Sequence, residues 1–169
     1  LALLKPCGFN ETISTHENVK ITFLNNGHLV GAALILVQIS YPGYEDINLL
    51  FTGDYNNKNM FFDVNPIPKW ILELPLTVIQ ESTYVDMDSS EIHKSFKANI
   101  KKCLKNDGTV VALVVSIGKA QEVVYELRCM QKDGELNEDI LIYFDGKLAI
   151  RYTDLYINDG LERRLKKLE

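Results

Sequence analysis

Residues 25–39 read NNGHLVGAALILVQI: a polar turn, one histidine, a run of small residues, and then an unbroken apolar stretch. Leu34–Ile39 has the length and β-branched content of a strand. Gly27 before His28, and Gly31, Ala32 and Ala33 after it, leave space for backbone or an ion to approach the imidazole closely. Upstream, Val19 to Leu24 alternates in part and reads as a strand that enters the turn Asn25-Asn26-Gly27. Downstream, YPGYED is a loop, and Ile47 to Phe51 is a short, nearly all-apolar strand of the kind buried on both faces. Thr52-Gly53-Asp54 closes it. Pro66, Pro68 and Pro75 exclude a long helix from residues 55–75, and Leu76 to Ile79 is a fourth strand running into Gln80-Glu81-Ser82-Thr83.

The pattern then changes to helix alternating with apolar strand. Asp88 or Ser89 is placed to cap a helix with apolar Ile92, Phe96, Ile100 and Cys103/Leu104, and Asp88 and Glu91 stand at capping-box spacing. Asn106-Asp107-Gly108 stops that helix. Thr109 to Val115 reads as a buried strand, followed by a helix through Val123, Val124, Leu127 and Met130. Ile140 to Phe144 reads as another strand, and a third helix runs through Leu148, Tyr152 and Leu155. Such alternation predicts βαβ units, a parallel sheet and right-handed crossovers. The shift near residue 85 marks a domain boundary.

Composition excludes several classes of function. The 169 residues are 46% hydrophobic and 24% charged, which are values for a folded globular chain. A net charge of −5 provides no broad cationic footprint for coating nucleic acid, although a local phosphate site remains open. No apolar run has a membrane-spanning length, and the start LALLKPCGF lacks the features of a cleaved leader. Three scattered cysteines, Cys7, Cys103 and Cys129, form neither a disulfide framework nor a zinc ribbon, so a reducing, cytoplasmic setting is expected. The three histidines, His16, His28 and His93, share no HxH or HExxH spacing, so these residues alone cannot build a histidine-rich metal centre.

His28, Asp54 and Glu81 each follow an apolar run and stand among small or turn-forming neighbours. An imidazole and a carboxylate suit zinc, and a carboxylate can bridge two ions. Taken singly, His28 reads rather as a satisfied or solvated loop residue and Asp54 as a turn residue bonding to backbone. At Ser116–Gln121 two readings stand side by side: a phosphate contact at a helix N-terminus with Gly118 and Lys119, or an ordinary strand-to-helix turn. A Walker loop fails there, because Leu113 and Ala120 occupy positions that need Gly and Ser or Thr. Gln121 and Glu122 read as favouring the first helical turn through the dipole. His16 and His93 read as surface residues, Trp70, Phe61 and Phe62 as loop packing, and LERRLKKLE as a solvated terminal helix.

The order NNGHLVGAALILVQI, LLFTGDYN, LTVIQESTY and GTVVALVVSIGKAQEVVYEL resembles the metallo-β-lactamase-fold nucleases of the β-CASP group, whose pattern runs GHxxGAA, TGD or SGD, ESTYG and GRAQE. IYFDGKLAIRYTDLY is similar to the segment that follows in that group, so the resemblance covers about residues 20–160. It implies that His28 is a zinc ligand, that Asp54 bridges two zinc ions, and that Glu81 orients a catalytic histidine supplied from later in the chain. It also implies a zinc-dependent nuclease acting on single-stranded RNA, with a homodimer as one possible assembly. Val85 replaces the Gly of ESTYG, and Lys119 replaces an Arg, keeping the charge but losing the bidentate fork.

The group's HxHxDH segment and its later histidine motifs have no counterpart here, and the first residue is Leu1. The expectation is therefore a fragment of an α/β (α+β) protein. Residues 1–85 would be the C-terminal half of a metallo-β-lactamase αββα sandwich, and 86–169 the start of a β-CASP parallel α/β domain. The fragment is expected to be inactive in isolation. A parent that is an inactive homologue serving as a binding scaffold is the alternative, and a doubly wound nucleotide-binding module a third reading.

Overall fold

The computed structural model describes residues 4–83, 89–105 and 108–158, with backbone alone for 89–94 and 158. Val85, the side chain of His93 and the terminal LERRLKKLE lie outside what is described. The chain forms two compact units, Leu1–Glu81 and Ser82–Glu169. Together they make a mixed α and β protein.

The first unit is built on a five-stranded sheet: β1 Thr12–His16, β2 Val19–Asn25, β3 Ala33–Ile39, β4 Ile47–Phe51 and β5 Leu76–Ile79, paired in sequence order. The first three pairings are antiparallel and β4–β5 is parallel. Consequently β2, β4 and β5 all run in the same direction, and their C-terminal ends lie along one edge of the sheet. Register opposes Thr22 to Leu36, Leu24 to Leu34 and Leu36 to Leu50, which sets these side chains on one face. Leu24, Leu34, Leu36, Leu50 and Ile71 form the core there, with Ile67, Leu74 and Leu76 packed around it. Ile71 belongs to α1, Lys69–Leu72, a single turn that starts after Pro68 and ends before Pro75, fully buried at that one residue. Buried polar groups on this face are paired: Thr12 and Thr22 hydroxyls lie 2.7 Å apart, and Asn48 Nδ2 donates to the Pro75 carbonyl at 3.3 Å.

The strand Ile47–Phe51 forms where expected but is not buried on both faces. Its Asn48 and Leu50 are buried, while Leu49 and Phe51 are half-buried and Ile47 is exposed. The reason is that only one face carries an α1 layer. β1 was missed by the sequence reading, because TISTH carries a single apolar residue and its strand character comes from pairing with β2.

The second unit contains α2 Ser89–Lys105, α3 Lys119–Lys132 and α4 Lys147–Asn158, the three helices that the apolar spacing predicts. Ile100, Met130 and Leu136 form its core with Phe96, Leu104, Leu127 and Ile140. Two ion pairs flank this core: Lys97 Nζ to Glu126 Oε1 at 2.7 Å and Lys101 Nζ to Glu135 Oε2 at 2.5 Å. The hydrogen bond to Glu126 raises the Lys97 pKa.

Two expected strands are not strands. Thr109–Val115 and Ile140–Phe144 have no regular secondary structure and join no ladder among the described residues. Nor is the first buried: Leu113 is 93% and Val111 79% exposed, and Leu141 and Tyr143 project similarly. β-propensity is legible in an apolar run, whereas a strand exists only when a neighbour supplies the other half of its hydrogen bonds. The parallel sheet expected for residues 86–169 is accordingly not formed among the described residues.

Candidate metal centre

The strand directions bring His28, Asp54 and Glu81 to the same sheet edge, since each follows the C-terminal end of β2, β4 or β5. His28 Nε2 lies 3.9 Å from Asp54 Oδ2, and both side chains reach solvent. Neither belongs to a strand. The loops after β2 and β4 hold them.

Asn26 joins those loops. Its side chain is buried, and Nδ2 donates to the Thr52 carbonyl at 3.2 Å and the Asp54 carbonyl at 3.0 Å. Its Oδ1 accepts the His28 N–H at 3.1 Å, and its own carbonyl accepts the Asn56 N–H at 2.8 Å. Gly27 follows at φ +74°, and Asn59 Nδ2 donates to its carbonyl at 2.9 Å. Positive φ and contact with the loop after β4 together require glycine at position 27.

Glu81 is tied to the same loop. Its N–H donates to Thr52 Oγ1 at 3.3 Å, and its Oε1 accepts the Tyr55 N–H at 3.4 Å. Gln80 Nε2 donates to the Tyr55 hydroxyl at 3.3 Å. The carboxylate that sequence reading placed beside the site is thus bonded to the residue adjoining Asp54.

In the second unit, Gly118 is buried at φ +80° and precedes α3. Its N–H donates to Gln121 Oε1 at 2.7 Å, and Lys119 Nζ pairs with Glu122 Oε2 at 2.5 Å. Lys119 remains largely exposed. Gln121 does more than favour the first helical turn, as the sequence reading had it. Buried, its Nε2 contacts the Ser116 carbonyl at 3.2 Å, the Ala149 carbonyl at 3.2 Å and Thr153 Oγ1 at 3.0 Å, fastening α3 to α4. Phe61 is buried, consistent with loop packing, whereas Trp70 is 46% exposed. His16 is exposed at the end of β1, as a surface residue should be.

No family model matches the chain. Among curated proteins it is 29% identical over 146 residues to the RNase J-like protein of Methanocaldococcus jannaschii, covering 84% of this chain and 33% of that protein. It is 30% identical over 171 residues to the transcription termination factor FttA of Methanosarcina mazei, covering 94% and 25%. With endoribonuclease ysh1 of Aspergillus fumigatus, identity is 29% over 181 residues, covering 99% and 19%. This chain is a homologue of the β-CASP metallo-β-lactamase nucleases. It spans a third or less of the length of these relatives.

For a β-CASP homologue the donor set can be tested directly. A tetrahedral zinc with bonds of about 2.0–2.1 Å holds adjacent donors about 3.4 Å apart. The His28–Asp54 separation of 3.9 Å is within a small side-chain rotation of that value, and both groups are free to move toward solvent. The pair therefore fits zinc in type and spacing. Two donors do not complete a shell, and no group of three or more His, Cys, Asp or Glu side chains is placed to hold a metal among the described residues. The sequence singles out His28 and Asp54, passes over Asn26, and gives Gln121 only a helix-starting role. An Asn beside a Gly signals a turn, and nothing in the string reveals which carbonyls its amide will reach. No helix among the described residues is long and apolar enough to cross a membrane.

Proposed function

We propose that these residues belong to a zinc-dependent hydrolase that cleaves phosphodiester bonds of single-stranded RNA. His28 supplies a nitrogen donor and Asp54 a carboxylate able to bridge two zinc ions. The observation that carries the reading is their 3.9 Å approach at one sheet edge. Zinc, when bound, lowers the pKa of a water and stabilises charge on the phosphoryl group under attack. Glu81, fixed beside Tyr55, is a hydrogen-bond acceptor for a histidine from outside these residues, holding its tautomer for proton donation to the leaving oxygen. Lys119, exposed but paired with Glu122, would exchange that carboxylate for an RNA phosphate; the Gly118 N–H is engaged by Gln121, so the cradle there reduces to the lysine.

On this reading residues 1–85 are the second half of the metal-binding sandwich and 86–169 the opening of the β-CASP domain. Half-buried Phe23, Ile35, Val37, Leu49 and Phe51 on the sheet face opposite the Leu36 core support it, since a sandwich needs a second apolar face there. The 169 residues by themselves would neither hold two zinc ions nor cleave RNA. Purified chain containing about two zinc ions and cutting RNA in an EDTA-sensitive manner would refute that statement. In the longer polypeptide carrying these residues, Asp54→Ala should abolish zinc-dependent RNA cleavage; unchanged cleavage would refute the assignment.

A further inference from the structure

We propose that Asn26 is a positioning residue whose side-chain amide sets the approach of His28 to Asp54. Three features of the loops carry this. First, both N–H groups and the oxygen of the amide bond to backbone at or close to the pair: Oδ1 accepts the His28 N–H, and the two N–H groups donate to the carbonyls of Asp54 and of Thr52, two residues before it. Second, the side chain is only 4% exposed, so removing it exchanges these bonds for unpaired groups rather than for water. Third, the His28 and Asp54 side chains are 42% and 75% exposed, and among the described residues only Asn59 besides Asn26, its Nδ2 reaching the His28 carbonyl at 3.4 Å, is seen to bond the backbone of either. Their spacing is therefore dictated by the backbones that Asn26 ties, not by packing of the side chains.

An aspartate at this position separates the functions of the amide. It keeps the acceptor for the His28 N–H but removes both donors, so the His28 backbone stays held while the Thr52 and Asp54 carbonyls lose their bonds to it; the Asn26 carbonyl bond to the Asn56 N–H is unchanged. The consequence for metal uptake rests on the reading of the pair given above, whereas the positioning itself does not.

The experiment uses NMR of the 169-residue chain without metal, in wild-type, Asn26→Ala and Asn26→Asp forms. Wild type should show a through-space cross-peak between the His28 ring and the Asp54 β-protons. Both variants should lose it while cross-strand peaks of Thr22 with Leu36 and of Leu24 with Leu34 persist, and Asn26→Asp alone should keep the His28 amide shift. A pair cross-peak retained in Asn26→Ala overturns the proposal. So does loss of that peak only together with the sheet peaks, which would make Asn26 merely structural. Zinc added to the same samples and followed at the His28 ring should bind Asn26→Ala roughly ten- to a hundredfold more weakly than wild type. Absence of any His28 response in wild type would remove the metal reading and leave positioning to be decided by the cross-peak.

Discussion

Gly27 approaches Asn56 so closely that a β-carbon added to it would stand 2.0 Å from the Asn56 carbonyl oxygen and 2.7 Å from Val64 Cγ2. The glycine before the candidate ligand is thus the point where the loop after β2 meets the chain that follows Asp54. Gly27→Ala combines an unfavourable positive φ with a backbone clash, and should cost about 2–4 kcal/mol. Gly31 also has a positive φ, +84°, but nothing lies within 4 Å of an added β-carbon. Gly31→Ala should cost only about 1 kcal/mol. Urea unfolding of the two variants measures the difference.

Gln121→Ala should destabilise the second unit by about 1–3 kcal/mol, because the Gly118 N–H and the Ala149 carbonyl lose buried partners. Gln121→Glu keeps the acceptor for Gly118 but turns a carboxylate oxygen toward the Ser116 and Ala149 carbonyls, and should be no better tolerated. Thermal unfolding of both variants checks this.

Leu113 and Leu141 project apolar side chains into solvent from segments without a ladder, at 93% and 72% exposure. Leu113→Lys combined with Leu141→Lys should change stability by no more than about 0.5 kcal/mol for each substitution. The same double variant should raise the concentration at which the chain begins to aggregate, measured by light scattering, since exposed apolar β-prone runs drive association.

These contrasts show which parts of the molecule can be read from its string. β2 and all three long helices announce themselves by local periodicity, and β3, β4 and β5 by short apolar runs bounded by turn residues. Thr109–Val115 carries the same apolar signal as β4, yet only β4 has neighbours to complete its hydrogen bonds. β1 shows the converse, a polar pentapeptide made into a strand by its partner. His28, Asp54 and Glu81 were singled out because polar residues follow apolar runs there, but only the resemblance to the β-CASP pattern gave them roles. Asn26 was not singled out, since its importance lies in carbonyls that only folding brings within reach.

The Lys101–Glu135 pair makes stability depend on acid pH. Its hydrogen bond lowers the Glu135 pKa below the ordinary value of 4.5. A carboxylate depressed by folding contributes fully above its unfolded pKa, and that contribution is lost as pH falls through the lower folded value. Lys101→Met should therefore weaken the dependence of stability on pH below about 4.5 while leaving its shape unchanged near neutrality. Denaturant midpoints measured across pH 2–7, at low salt where an exposed pair is least screened, read this directly.

Zinc titration of the chain, followed residue by residue at its histidine rings, tests the central claim most directly. His28 should respond while His16 and His93 do not, and Asp54→Ala should weaken the response tenfold or more. Equal perturbation of all three rings, or an undiminished His28 response in Asp54→Ala, would contradict it.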